Sequence, residues 1–98
     1  MNAKFGIYKD CSSNEPTKVY ECKRLLFGIS KKALSIYKQM QETDDENEQI
    51  ESLVDLIQTI FPDFERNEID YVDAKELIAF VNEIVDNTNA ELHKSQKN

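Results

Sequence analysis

Two stretches of this chain carry apolar residues at helical spacing, and a proline stands between them. The first holds Ile50, Leu53, Val54, Ile57, Ile60 and Phe61, with Leu56 widening it. Pro62 ends it, because the residue before a proline is pushed out of helical geometry. The second holds Leu77, Ile78, Phe80, Val81, Ile84 and Val85, and Asp73 and Glu76 ahead of it have capping-box spacing. Apolar residues recurring three and four apart turn one face of a helix toward a core. The pattern predicts helices over about 46–61 and 74–86. Glycine and proline number two each in 98 residues, too few for a many-turned β-sandwich. Helix packing must therefore dominate the fold.

A further helix is predicted over about 31–42, with Ser30 as N-cap and Ala33, Leu34, Ile36, Tyr37 and Met40 at helical spacing. It places Lys31 and Lys32 in a first turn, where the helix dipole disfavours cations by a few tenths of a kcal/mol each. The acidic run ETDDENE joins this helix to the next, and Asp45 with Glu48 has capping-box spacing. Ahead of the helices, KFGIYK sets Phe5 and Ile7 on one side of a strand and Gly6 and Tyr8 on the other. DCSSNEPT is turn chemistry, and KVYECKRL alternates Val19, Glu21, Lys23 and Leu25 against Tyr20, Cys22 and Arg24. Residues 63–72 read as a loop or one short helical turn, with Phe64, Ile69, Tyr71 and Val72 on the core. Asn87 to Asn89 are candidates to end the last helix, with continuation through Leu92 as the alternative, and HKSQKN, residues 93–98, reads as a disordered polar tail. The expected fold is mainly α: a short N-terminal β-hairpin, about 4–25, followed by three main helices in a small helical bundle, with one domain over 1–92.

Several chemistries lack their residues. No apolar run approaches 18 residues, so no membrane span is expected, and Met1 to Lys9 has no apolar stretch of signal-peptide length. Cys11 and Cys22 form no CxxC pair, which makes a reducing cytoplasmic setting the expectation. His93 is the one histidine and sits in the polar tail, which disfavours a Cys/His zinc site and a Cys-His catalytic pair. Gly6 and Gly28 cannot build a phosphate loop or a GxSxG turn. The expectation is a protein without catalytic residues, cofactor or metal. One alternative is a degenerate calcium loop, Glu65 to Glu76, with Asn67, Val72, Asp73 and Glu76 in matching places. It departs at Glu65, at Ile69 and at Asp70, where glycine is needed for the sharp turn.

The net charge of −7 hides a polarity. Residues 1–40 hold eight basic and three acidic side chains, a net of +5; residues 41–91 hold two basic and sixteen acidic, a net of −14. The basic front interleaves with Phe5, Tyr8, Tyr20 and Phe27, so a small nucleic-acid-binding regulator is a second alternative. The acidic back and the pI near 4.6 disfavour it. Charge complementarity favours protein contacts, including self-association of the basic front with the acidic back of another copy. The wide apolar stripes supply candidate partner-binding residues: Leu53, Leu56, Ile57, Ile60, Phe80, Val81 and Ile84, with Lys31 and Lys32 meeting acidic groups of a neighbour.

The succession KVYECKRL, FGISKKALSIYKQM, EQIESLVDLIQTIF and YVDAKELIAFVNEIV resembles the tail assembly chaperones of long-tailed (siphovirus-type) phages and prophages of Gram-positive bacteria. The resemblance spans residues 4–86, and DAKELI following a helix that ends in IF carries most of it. In that family a glycine often breaks the chain before this helix, where Tyr71 and Val72 stand here. The resemblance implies a non-enzymatic assembly factor of the host cytoplasm, absent from the mature virion. Such proteins keep the helical tape measure protein soluble and bring tail tube subunits to it. A longer form of these chaperones is commonly made by ribosomal frameshifting near the end of the reading frame.

Overall fold

A computed structural model describes residues 2–96, with side chains described as far as Leu92. The chain is mainly helical, with an N-terminal antiparallel hairpin followed by helices. Strand β1 is Ala3–Ile7 and β2 is Lys18–Cys22. Their register pairs Ala3 with Cys22, Phe5 with Tyr20 and Ile7 with Lys18. Period-two alternation then sends Ala3, Phe5, Tyr20 and Cys22 to the buried face and leaves Val19 half exposed. Both strands are shorter than the 4–25 hairpin expected, because Lys23 and Arg24 leave the ladder and only Leu25 returns to the core. The long connection is closed at its end by Thr17, whose N–H and hydroxyl both donate to Ile7 O, at 2.7 and 3.1 Å.

Helix α1 is Phe27–Glu42, a turn longer at its start than the predicted 31–42. Its N-cap is Leu26, whose side chain makes no cap. Ser30 is therefore inside the helix and buried, and its hydroxyl donates to Phe27 O at 2.9 Å. The start is set where Leu25 docks on the core and the backbone turns, which overrides a locally good cap residue. Lys31 and Lys32 consequently stand in the second turn, away from the dipole penalty.

Helix α2 is Glu46–Ile60, beginning as expected at Asp45, which accepts from the N–H groups of Asn47 and Glu48. Glu48 does not complete a capping box; it accepts from the Thr43 hydroxyl at 2.6 Å. The Pro62 turn and a short 3-10 helix over Arg66–Tyr71 follow. Helix α3 is Ala74–Gln96, ten residues past the predicted stop at 86. Asn87 and Thr88 do not break it, because their side chains bond back to Glu83 O and Ile84 O within the helix, and neither glycine nor proline follows Pro62. The expected disordered tail over 93–98 is thus replaced by helix as far as Gln96; residues 97 and 98 lie outside the described residues.

Helix α1 packs chiefly on α2, and α3 lies against both α1 and β1. The core centres on Phe5. Its ring meets Tyr20 across the hairpin at 5.4 Å, and Phe61, Phe64 and Phe80 edge-on at 5.8, 6.0 and 5.0 Å. The turn at Pro62 is what brings Phe61 and Phe64 to the same ring. Of the residues expected to cover the core from 63–72, Phe64 is buried, Ile69 and Val72 are partly buried, and Tyr71 is exposed.

The outer edge of β1 is closed by the start of α3. Ile7 bridges Val72, and the Tyr8 N–H donates to Tyr71 O at 2.8 Å. Glu76 accepts from the Gly6 N–H at 2.8 Å and from the Tyr8 hydroxyl at 2.6 Å. Half of the capping box read at Asp73 is present, since Asp73 accepts from the Glu76 N–H at 3.0 Å. The other half is given up to clamp hairpin and helix together.

Candidate interaction groove

Where α1, α2 and α3 converge, the molecule leaves a continuous apolar groove. Its wider end, about 590 Å³, lies between the last turns of α1 and the first turns of α2. Its narrower end, about 230 Å³, runs onto the first turns of α3. Tyr37, Met40 and Leu53 line both ends and make them one feature. Helical periodicity explains the lining: Tyr37 and Met40 are three apart on α1, Ile50 and Leu53 three apart on α2, and Leu77, Ile78 and Val81 one face of α3.

Burial is graded across it. Leu77 and Val81 belong to the core, Tyr37, Met40 and Leu53 are partly buried, and Ile50 and Ile78 stand 46% and 62% exposed. Gln41, Gln49 and Asn82 border it, and Gln41 donates its side-chain amide to the Tyr37 hydroxyl at 3.0 Å. Among the described lining residues, Glu46 is the one carboxylate. Such a surface can bury apolar side chains and orient them with a few amides. Covering Ile50 and Ile78 offers on the order of 1 kcal/mol each.

The residues expected to bind a partner divide sharply. Leu53 and Val81 line the groove. Leu56, Ile57, Phe80 and Ile84 are fully buried in the core, so they are structural rather than available for contact, a correction to the expectation. Ile60 packs against that core, and Lys31 and Lys32 are exposed on α1. Tyr37, Met40, Ile50, Leu77 and Ile78 were not among the candidates. The signal for Ile78 was the width of its stripe; Ile50 shares the helical face of Val54 and Ile57 and is exposed because it stands near the start of α2, at the end of the stripe.

A larger concavity, about 720 Å³, lies between the hairpin connection and the start of α3. Two of its acids, Asp10 and Asp73, serve local structure. Asp10 accepts from the N–H and hydroxyl of Ser12 and from the hydroxyl of Ser13, bonds that hold its carboxyl below the usual range. Asp73 caps α3. The calcium-loop alternative fares similarly: Glu76 serves Gly6 and Tyr8, and Glu68 accepts from the Glu65 N–H and the Tyr20 hydroxyl. Among the described residues, no three His, Cys, Asp or Glu side chains are grouped to hold a metal ion. Of the four rings expected to stack bases, Phe5 and Tyr20 are buried and Tyr8 is bonded to Glu76, while Phe27 stands exposed at the start of α1. Among the described residues, no helix is long and apolar enough to cross a membrane.

No protein-family model, curated protein or solved structure matches this chain at a significant level.

Proposed function

We propose that this protein is a non-enzymatic assembly factor that holds an amphipathic helix of a partner in the groove between α1, α2 and α3. The observation that carries this reading is a continuous apolar groove, open at Ile50 and Ile78 and built from three helices whose other faces already fill the core. A helix laid in a groove is held by apolar residues at three- and four-residue spacing, which is what a groove between helices can accept. The resemblance to phage tail assembly chaperones names the partner: the tape measure protein, kept soluble in the host cytoplasm until tail tube subunits are brought to it. Under this reading the chain acts during tail morphogenesis and is absent from the finished virion.

Co-expression with the tape measure protein tests it. The wild-type chain raises the soluble fraction of that partner. Ile78→Asp, placed on an exposed side chain, abolishes the effect while leaving the melting temperature unchanged. Equal rescue by wild type and Ile78→Asp sinks the groove as the docking site, and no rescue by either sinks the function.

A further inference from the structure

The groove has a counterpart at the opposite end of the same molecule. Leu26 and Phe27 stand 62% and 61% exposed at the start of α1, and neither belongs to the core. Cations surround them. Lys23 and Arg24 line a shallow concavity with Phe27, which Glu91 of α3 borders, and Lys31 Nζ lies 5.6 Å from the Phe27 ring centre. At the other end of α1, about 24 Å away for a helix of sixteen residues, is the tip of the α1–α2 hairpin. There the acidic run Glu42, Asp44, Asp45, Glu46 and Glu48 carries the chain from α1 into α2, and Glu46 lines the wide end of the groove, with Lys38 one turn back on α1.

One end therefore presents two apolar side chains among cations, and the other an apolar concavity among carboxylates. The rigid helix between them prevents the two ends from meeting within one molecule. Each instead fits the opposite end of a second copy. The geometry points to a head-to-tail contact in which Leu26 and Phe27 of one copy enter the Met40–Ile50 end of the groove of the next. Lys23, Arg24 and Lys31 then face the acidic tip. This inference rests on reading the groove as a docking site. It adds a regulation: the next copy covers the surface the partner helix needs, so the two compete. A contact between unlike surfaces leaves each assembly with one free end of each kind, so copies add one after another until a ring closes or a filament grows.

Sedimentation velocity over a concentration series, at about 50 mM salt where screening is weak, tests the contact. Wild type gains mass with concentration. Phe27→Asp removes the anchor and Ile50→Arg blocks the groove; both sites are exposed, and unchanged melting curves verify the fold. Each variant alone stays monomeric. An equimolar mixture forms a one-to-one dimer and nothing larger, because the pair retains one intact anchor and one intact groove. A wild-type monomer throughout, a dimer that neither variant disrupts, or a mixture that stays monomeric overturns the inference. The partner assay separates this from the function: Phe27→Asp still solubilises the tape measure protein, at several-fold lower concentration than wild type. If self-association is absent while Ile50→Arg alone loses partner rescue, the contact between copies falls and the groove reading stands.

Discussion

Glu76 joins positions seventy residues apart, since its carboxylate holds the Gly6 N–H and the Tyr8 hydroxyl at once. Glu76→Ala leaves the Gly6 N–H without its acceptor, at a cost of about 1–3 kcal/mol in urea denaturation. Tyr8→Phe loses one bond to the carboxylate and is expected to cost about 1 kcal/mol, with the two changes less than additive because they share it. Gly6 has a second constraint. An added Cβ would lie 2.9 Å from Pro16 Cβ and 3.1 Å from the Tyr8 ring. Gly6→Ala is expected to destabilise by about 1–3 kcal/mol, and Pro16→Gly in the same chain to recover part of that loss. Glu68 supplies a pH dependence. Burial pushes its carboxyl up, but the Glu65 amide, the Tyr20 hydroxyl and Lys18 together outweigh that and hold it below its ordinary value of 4.5. A carboxyl lower in the folded than in the unfolded chain contributes stability that is complete above the ordinary value and is lost as pH falls through the folded one. Urea midpoints measured between pH 7 and 3 should therefore fall in acid, and less steeply in Glu68→Gln.

At the scale of elements, the interiors of the helices were legible and their ends were not. The spacing of Ile50, Leu53, Val54 and Ile57 and the stop at Pro62 predict α2 to within a residue, because a long periodic stripe outweighs local detail. Caps are individually worth only about 1 kcal/mol, so tertiary contacts override them. Ser30 shows this: it reads as an N-cap, yet α1 starts at Phe27. The consequence can be measured. Asp45→Ala removes the acceptor of two N–H groups and is expected to cost about 0.5–2 kcal/mol. Ser30→Ala should change stability by less than about 0.5 kcal/mol, since the better helix propensity of alanine offsets the lost hydroxyl bond. The end of α3 misled for a related reason. Asn87 and Thr88 look like breakers, but with partners at Glu83 O and Ile84 O they stay helical, and Thr88 is buried. The long-range use of Glu76 left no local trace at all, because capping-box spacing already accounted for it.

At the scale of the whole molecule, the stripes could not say which of their residues would be core and which would line an open groove. That division depends on where three helices meet. Leu56 and Ile57 are fully covered within the common core, whereas Ile50, on the same helix, lies near the acidic tip and stays open. The same arrangement makes stability very unevenly distributed. Phe5 touches four aromatic rings drawn from β2, the Pro62 turn and α3, so one side chain links nearly every part of the core. A domain of this size has a total stability of about 5–15 kcal/mol. Phe5→Ala should remove about 3–5 kcal/mol of it, a large share of the total. Phe27, a residue of the same type, is mostly exposed and outside that cluster. Phe27→Ala is therefore expected to stay within about 0.5 kcal/mol of wild type. Urea denaturation followed by circular dichroism makes the comparison directly. Similar losses at both positions would mean that the start of α1 is packed into the core, and that it is not the exposed apolar corner from which a second copy is reached.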